Sequence, residues 1–92
     1  MAVIWSASAR RDFDNALRYL QPRSQAGAKR MGERILAVAS LLEQFPELAP
    51  PSRYRSLRQL VVPRTPYLVI YRLNGGDVEI RAIVHAKQRR RR

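Results

Sequence analysis

The sequence predicts an α+β domain in which an antiparallel pair of helices packs on one face of an antiparallel β-sheet. Two segments with apolar residues at helical spacing fill the first half of the chain, after a short apolar N-terminal stretch. Three segments of alternating apolar residues fill the second half. A length of 92 residues suits one domain. We therefore expect residues 1–92 to form a single domain with a basic tail over residues 87–92.

The N-terminal part predicts a short strand followed by an amphipathic helix. Residues 2–5 are β-branched and aromatic, and either Ser6 or Ser8 can cap the helix that follows. Pro22 ends this helix. Its apolar face is formed by Ala9, Phe13, Ala16, Leu17 and Leu20.

A second helix is predicted between Ser24, which can cap it, and the Phe45-Pro46 pair, which closes it. Gly27 and Gly32 lower the helix propensity but permit a close approach to the first helix. The loop between the helices is short, so the two pair antiparallel. The apolar stripe consists of Ala28, Met31, Ile35, Val38 and Leu42.

Residues 56–62, 67–73 and 78–85 predict a three-stranded antiparallel meander. The segment from Asn74 to Asp77 predicts a tight hairpin, because its Asn and two Gly residues tolerate positive φ. A hairpin centred on the glycines places apolar residues opposite one another on a single face. The predicted pairs are Leu73 with Val78, Tyr71 with Ile80, Val69 with Ala82 and Tyr67 with Val84.

This register gives the predicted sheet two faces. The face expected to contact the helices carries Leu60, Val62, Tyr67, Val69, Tyr71, Val78, Ile80, Ala82 and Val84. The opposite face carries Leu57, Gln59, Val61, Leu68, Ile70, Arg72, Glu79, Arg81, Ile83 and His85. An apolar patch with charged residues at its rim is typical of a protein-binding surface.

The charge of +11 predicts an anionic partner, which could be nucleic acid, a nucleoprotein machine or an acidic protein. The chain has no Cys, a single His and no dense group of acidic residues, so we expect neither a metal site nor a cofactor. No segment is apolar for the ~20 residues that a membrane span needs. We expect a cytoplasmic protein without a membrane partner.

One possible catalytic site can be derived from the residues alone. Arginines of the last strands could stabilise the charge that develops during RNA cleavage, with His85 as the acid or base. A structural role for His85 at the end of its strand is the plainer interpretation, because no second acid or base accompanies it.

The order of these elements resembles the RelE/ParE toxin superfamily of type II toxin–antitoxin modules, closer to its ParE branch. The resemblance runs from Val3 to about Arg89. It rests on Ile4–Ala9 continuing into Asp12-Phe13, the helix from Ala28 to Leu42 with Phe45-Pro46-Glu47, and the strand segments Leu57–Val62, Pro66–Arg72, Val78–Arg81 and Val84-His85.

The resemblance implies a growth-inhibiting, plasmid-stabilising type of toxin that forms a hetero-oligomer with a cognate antitoxin. The antitoxin segment would cover the exposed sheet face. The expected antitoxin-binding residues are Leu57, Gln59, Val61, Leu68, Ile70, Arg72, Arg81 and Ile83.

The resemblance also separates two targets. RelE-like members cut mRNA on the ribosome with basic residues on this face, whereas ParE-like members poison DNA gyrase. The positions that correspond to the basic residues fall here on Gln59, Val61 and Leu68. We therefore expect a gyrase inhibitor without catalytic residues.

Two alternatives remain at this stage. The first is a ribosome-dependent mRNA endoribonuclease, whose catalytic residues would be Arg58, Arg81, His85 and Arg89. The second is a non-toxic nucleic-acid-binding module whose affinity depends on the arginine run of residues 89–92.

Overall fold

A computed structural model describes residues 2–53 and 56–87 and confirms the α+β class. Two helices pack on one face of a four-stranded sheet. The elements are β1 (Val3–Trp5), α1 (Ala7–Leu20), α2 (Gln25–Gln44), β2 (Arg58–Val61), β3 (Tyr67–Asn74) and β4 (Asp77–His85).

The sheet is mixed rather than purely antiparallel. Its strand order is β1-β4-β3-β2, and β1 runs parallel to β4. The sequence had predicted β1 as an element separate from a three-stranded meander, which was wrong in this detail. Both helices lie between β1 and β4 in the chain, and a crossover of that kind joins parallel neighbours.

Both predicted helix caps are confirmed. The Ser6 hydroxyl accepts a hydrogen bond from the Ala9 N–H at 3.0 Å, and the Ser24 hydroxyl accepts one from the Gly27 N–H at 2.9 Å. A Cβ atom at Gly32 would lie 3.4 Å from a Leu17 methyl group, so the absence of a side chain there lets α1 and α2 approach closely.

The β3–β4 hairpin has the predicted register only next to its turn. Tyr71 lies opposite Ile80, but Ile70 lies opposite Ala82, so Arg81 is an extra residue that bulges from β4. Beyond the bulge, the predicted pairs of Val69 with Ala82 and Tyr67 with Val84 are wrong. Val69 instead pairs with Ile83, and Tyr67 with His85.

The bulge exchanges the two faces of the end of β4. Ile83 is buried in the core and His85 packs on Tyr67, so both lie on the helix side rather than on the opposite face. By the alternation of a strand, Ala82 and Val84 take the opposite face.

Polar groups of α1 and of its N-cap Ser6 bind the backbone of β4 around the bulge. The Ser6 N–H donates to the Ile80 carbonyl at 3.0 Å, and the Ser6 hydroxyl donates to the Arg81 carbonyl at 3.2 Å. The Asp12 carboxylate accepts from the Ile83 N–H at 3.0 Å. Because β1 is short, part of the edge of β4 has no strand beside it, and these polar groups bond to that part instead.

The Tyr71 side chain fixes the loop between α2 and β2 from within the core. Its ring is fully buried, and its hydroxyl donates to the Pro46 carbonyl at 3.0 Å and accepts from the Ala49 N–H at 3.2 Å. Arg58 donates to the Ala49 carbonyl at 2.6 Å. One loop residue is therefore held through both of its backbone polar groups.

A polar cluster around Glu79 lies on the sheet face away from the helices. The Glu79 carboxylate accepts from the Arg72 guanidinium at 3.0 Å and from the Asn74 amide at 2.6 Å. The Arg81 guanidinium lies 3.6 Å from it. Hydrogen bonds from Asn74 and Arg72, followed by the charges of Arg72 and Arg81, lower the pKa of Glu79.

Replacing Tyr71 with Phe should lower the free energy of unfolding by about 1–3 kcal/mol, because the Ala49 N–H and the Pro46 carbonyl lose their partner inside the protein. The midpoint of urea denaturation measures this loss. The matched control is Tyr19→Phe, whose side chain is 63% exposed, and it should change stability by less than about 0.5 kcal/mol. Equal effects of the two variants would contradict the role given to Tyr71.

Replacing Glu79 with Gln should flatten the acid side of the stability profile. Because the pKa of Glu79 is lowered in the folded state, its contribution is present above the ordinary pKa of a glutamate and is lost as the pH falls through the lowered value. Thermal unfolding followed from neutral to acidic pH tests this. The control Glu43→Gln removes an exposed carboxylate of α2 and should keep the wild-type profile; a Glu79→Gln profile parallel to the wild type refutes the prediction.

Candidate functional site

The helices cover one face of the sheet and leave the other face uncovered. We call it the open sheet face. It has an apolar centre, and the Glu79 cluster lies on the same face. Register and alternation assign to it Ile4, Gln59, Val61, Leu68, Ile70, Arg72, Glu79, Arg81, Ala82 and Val84.

Among the apolar residues of this face, exposure is highest on the two outer strands. Val61 on β2 is 62% exposed and Ile4 on β1 is 47% exposed, while Leu68 and Ile70 on β3 are half-buried. No helix or strand among residues 2–53 and 56–87 packs over them. Exposed apolar side chains that form a continuous surface are typical of a site where another protein binds.

The structure brings most of the predicted antitoxin-binding residues together. Leu57 precedes β2, and its carbonyl accepts from the Ser52 N–H at 2.8 Å. Because Leu57 lies outside β2, strand register does not assign it to this face. The predicted place of Ile83 on the face is wrong, because the Arg81 bulge turns that side chain into the core. The residues found on the open sheet face are Gln59, Val61, Leu68, Ile70, Arg72 and Arg81.

Three residues of the open sheet face were missed from the sequence. Ala82 and Val84 were assigned to the core side because the hairpin register was extended past the bulge. Ile4 was missed because β1 was not placed in the sheet. The alternation of Val3, Ile4 and Trp5 next to β4 would have identified it, since Val3 and Trp5 pack against the core.

Of the four residues predicted for the nuclease alternative, the three that the structure describes do not meet on one surface. Arg58 lies on the helix side, where its guanidinium binds the Ala49 carbonyl. Arg81 lies on the open sheet face beside Glu79. His85 lies on the helix side at the end of β4, and Arg89 lies outside the described residues.

His85 borders a cleft of about 380 Å³ between α1 and the ends of β3 and β4. Its ring meets the Tyr67 ring edge to face at 5.3 Å, and its Nδ1 accepts from the Lys87 N–H at 3.1 Å. An accepting Nδ1 leaves the ring proton on Nε2. Burial and the nearby Tyr19 raise the pKa of Tyr67, so its hydroxyl stays protonated at neutral pH.

The described residues form no candidate metal site and no candidate membrane-spanning helix. Across residues 2–53 and 56–87, no three side chains of the kinds that bind metal ions come together. Neither helix in these segments combines the length and the apolar character that crossing a lipid bilayer requires. What the described surface offers is an apolar sheet face on a strongly basic protein.

Known structures share this architecture. The chain superimposes on a chain of the chromosomal ParDE toxin–antitoxin system from P. aeruginosa with a TM-score of 0.83, covering 92% of this chain and 95% of the other at 22% identity. It also matches the YoeB/ParE toxin from Agrobacterium tumefaciens with a TM-score of 0.64 and 17% identity, covering 92% and 98% of the two chains. At these identities the likeness establishes the fold.

Two relatives found by sequence are more similar to this chain than these two structures are. The toxin candidate Y4kP of Sinorhizobium fredii is 33% identical over 86 residues, which cover 94% of this chain and 88% of the relative. Toxin RelE1 of Caulobacter vibrioides is 31% identical over 94 residues, which cover 96% of each chain. The family model described as the ParE toxin of the type II toxin–antitoxin system parDE matches residues 3–90. With nearly the whole chain matched by that model and the same fold in a ParDE system, the chain belongs to the ParE toxin family of type II toxin–antitoxin systems.

Proposed function

We propose that this toxin inhibits DNA gyrase and that its antitoxin neutralises it by covering the open sheet face. The observation that carries the proposal is the apolar centre of that face. The resemblance to the superfamily places Gln59, Val61 and Leu68 where RelE-like nucleases carry basic residues, and strand register puts these three side chains on one surface. Neutral and apolar side chains cannot stabilise the charge that develops on phosphate during RNA cleavage.

The open sheet face suits a protein partner better than RNA. Its apolar residues gain from being removed from water, at about 25 cal/mol for each Å² that a partner buries. The Glu79 carboxylate offsets part of the positive charge of Arg72 and Arg81, which weakens the attraction of this face for a phosphate backbone. Arg72 and Arg81 flank that carboxylate and can still pair with acidic side chains of a protein.

The excess of cations supports a target that carries DNA. A net charge of +11 attracts the toxin to the negative field of a gyrase–DNA complex and speeds the encounter at low salt. Inhibition would then follow from contacts that hold the cleaved complex, and the toxin itself would need no catalytic group.

The purified full-length toxin, freed from antitoxin, should block DNA supercoiling by gyrase and accumulate cleaved DNA. Supercoiling and cleavage reactions on plasmid DNA measure both effects. The matched control is the same toxin incubated with its antitoxin, which should restore supercoiling. A folded toxin that leaves gyrase unaffected but cleaves mRNA in a translating extract would overturn the proposal in favour of the ribosome.

A further inference from the structure

A second apolar surface lies on the other side of β2 from the open sheet face. It is a groove of about 300 Å³ between the C-terminal half of α2 and the turn that joins β2 to β3, and we call it the α2–turn groove. Its lining is apolar except for two guanidinium groups. The residues are Arg34, Ala37, Val38, Leu41, Pro63 and Arg64.

The backbone at Arg64 is in a conformation that arginine rarely adopts. Its φ is +62°, in the left-handed region, and it is the third residue of a turn closed by a 3.2 Å hydrogen bond from the Thr65 N–H to the Val62 carbonyl. Glycine or asparagine is the usual residue at such a position. Residues held in such backbone conformations cluster at functional sites and ligand-binding segments.

Within residues 2–53 and 56–87, neither arginine of the groove holds another part of the fold. Arg34 and Arg64 make no hydrogen bond or ion pair with the other described residues, in contrast to Arg58 and Arg72, whose guanidinium groups bind within the protein. Two cations without a partner among the described residues therefore flank an apolar floor on which Leu41 is 41% exposed.

The chemistry of the groove selects its occupant. Two guanidinium groups favour carboxylates and repel a basic segment, and the apolar floor favours a hydrophobic side chain between those carboxylates. A nucleic acid backbone would satisfy the arginines but would leave the floor without an apolar partner. The match is a short acidic segment of a protein with an apolar residue at its centre.

We propose that the α2–turn groove is a second docking site for the antitoxin, holding an acidic segment through Arg34 and Arg64. The inference rests on the proposed partnership with an antitoxin. It goes beyond the open sheet face because it assigns to the groove a second segment of the antitoxin, distinct from the segment that covers that face. Val61, on the open sheet face at the end of β2, is two residues before Pro63 in the chain. A segment that leaves the face over β2 thus reaches the groove within a few residues at ~3.3 Å per extended residue.

The decisive variant is Arg64→Gly, because glycine accepts the positive φ while removing the cation. We expect it to raise the dissociation constant of the complex with full-length antitoxin at least 10-fold, measured by calorimetry, while the melting temperature of the free toxin stays equal or rises. Arg64→Asn, which also tolerates this backbone, should weaken binding similarly, and Arg64→Lys should weaken it less. Arg34→Gln should weaken it at least 10-fold as well.

The control is Arg11→Gln, which removes an exposed arginine of α1 outside the groove and should change the dissociation constant by less than 2-fold. Affinities of Arg64→Gly and Arg34→Gln within 2-fold of the wild type, or no weaker than the control, would overturn the groove proposal. A wild-type toxin that binds antitoxin yet does not inhibit gyrase would refute the proposed target and leave the groove standing. A wild-type toxin that does not bind the antitoxin would refute both.

Discussion

The bulge at Arg81 is the constraint on which the arrangement of the sheet depends. It inserts one residue into β4 immediately after the three positions that β1 covers, and it reverses the direction of every side chain that follows. Ser6, the N-cap of α1, and Asp12 within α1 bind the backbone around it. These bonds compensate for lost strand pairing, since an unpaired buried backbone group costs about as much as a lost hydrogen bond. The bulge thereby determines how β4 contacts α1, which of its side chains enter the core and which lie on the open sheet face.

The consequences of the bulge extend to both sides of the sheet. On the helix side, Ile83 completes the core and His85 packs against Tyr67. On the other side, Ala82 and Val84 extend the apolar centre of the open sheet face, and Arg81 reaches Glu79.

Local signals were sufficient to predict the elements and their order. Ser6 and Ser24 cap the helices as expected, and the hairpin at Gly75 has the register that its neighbours predict. The prediction that was wrong, the register of β4 beyond the bulge, depends on contacts between residues that are far apart in the chain. The bulge is bonded to Ser6, 75 residues away in the chain, and to Asp12, 71 residues before Ile83. Apolar alternation from Ile80 to His85 is compatible with either register, so only packing against α1 decides between them.

The proposal that the open sheet face binds the antitoxin can be tested most directly by thiol labelling, because the chain has no cysteine of its own. Val61→Cys places a single thiol on that face, and Ser8→Cys places one on the exposed side of α1. The rate of alkylation by N-ethylmaleimide is compared for the free toxin and for the purified complex. The account predicts at least 10-fold slower labelling at position 61 in the complex and an unchanged rate at position 8. Undiminished labelling at position 61 in an intact complex, with protection at position 8 instead, would contradict it.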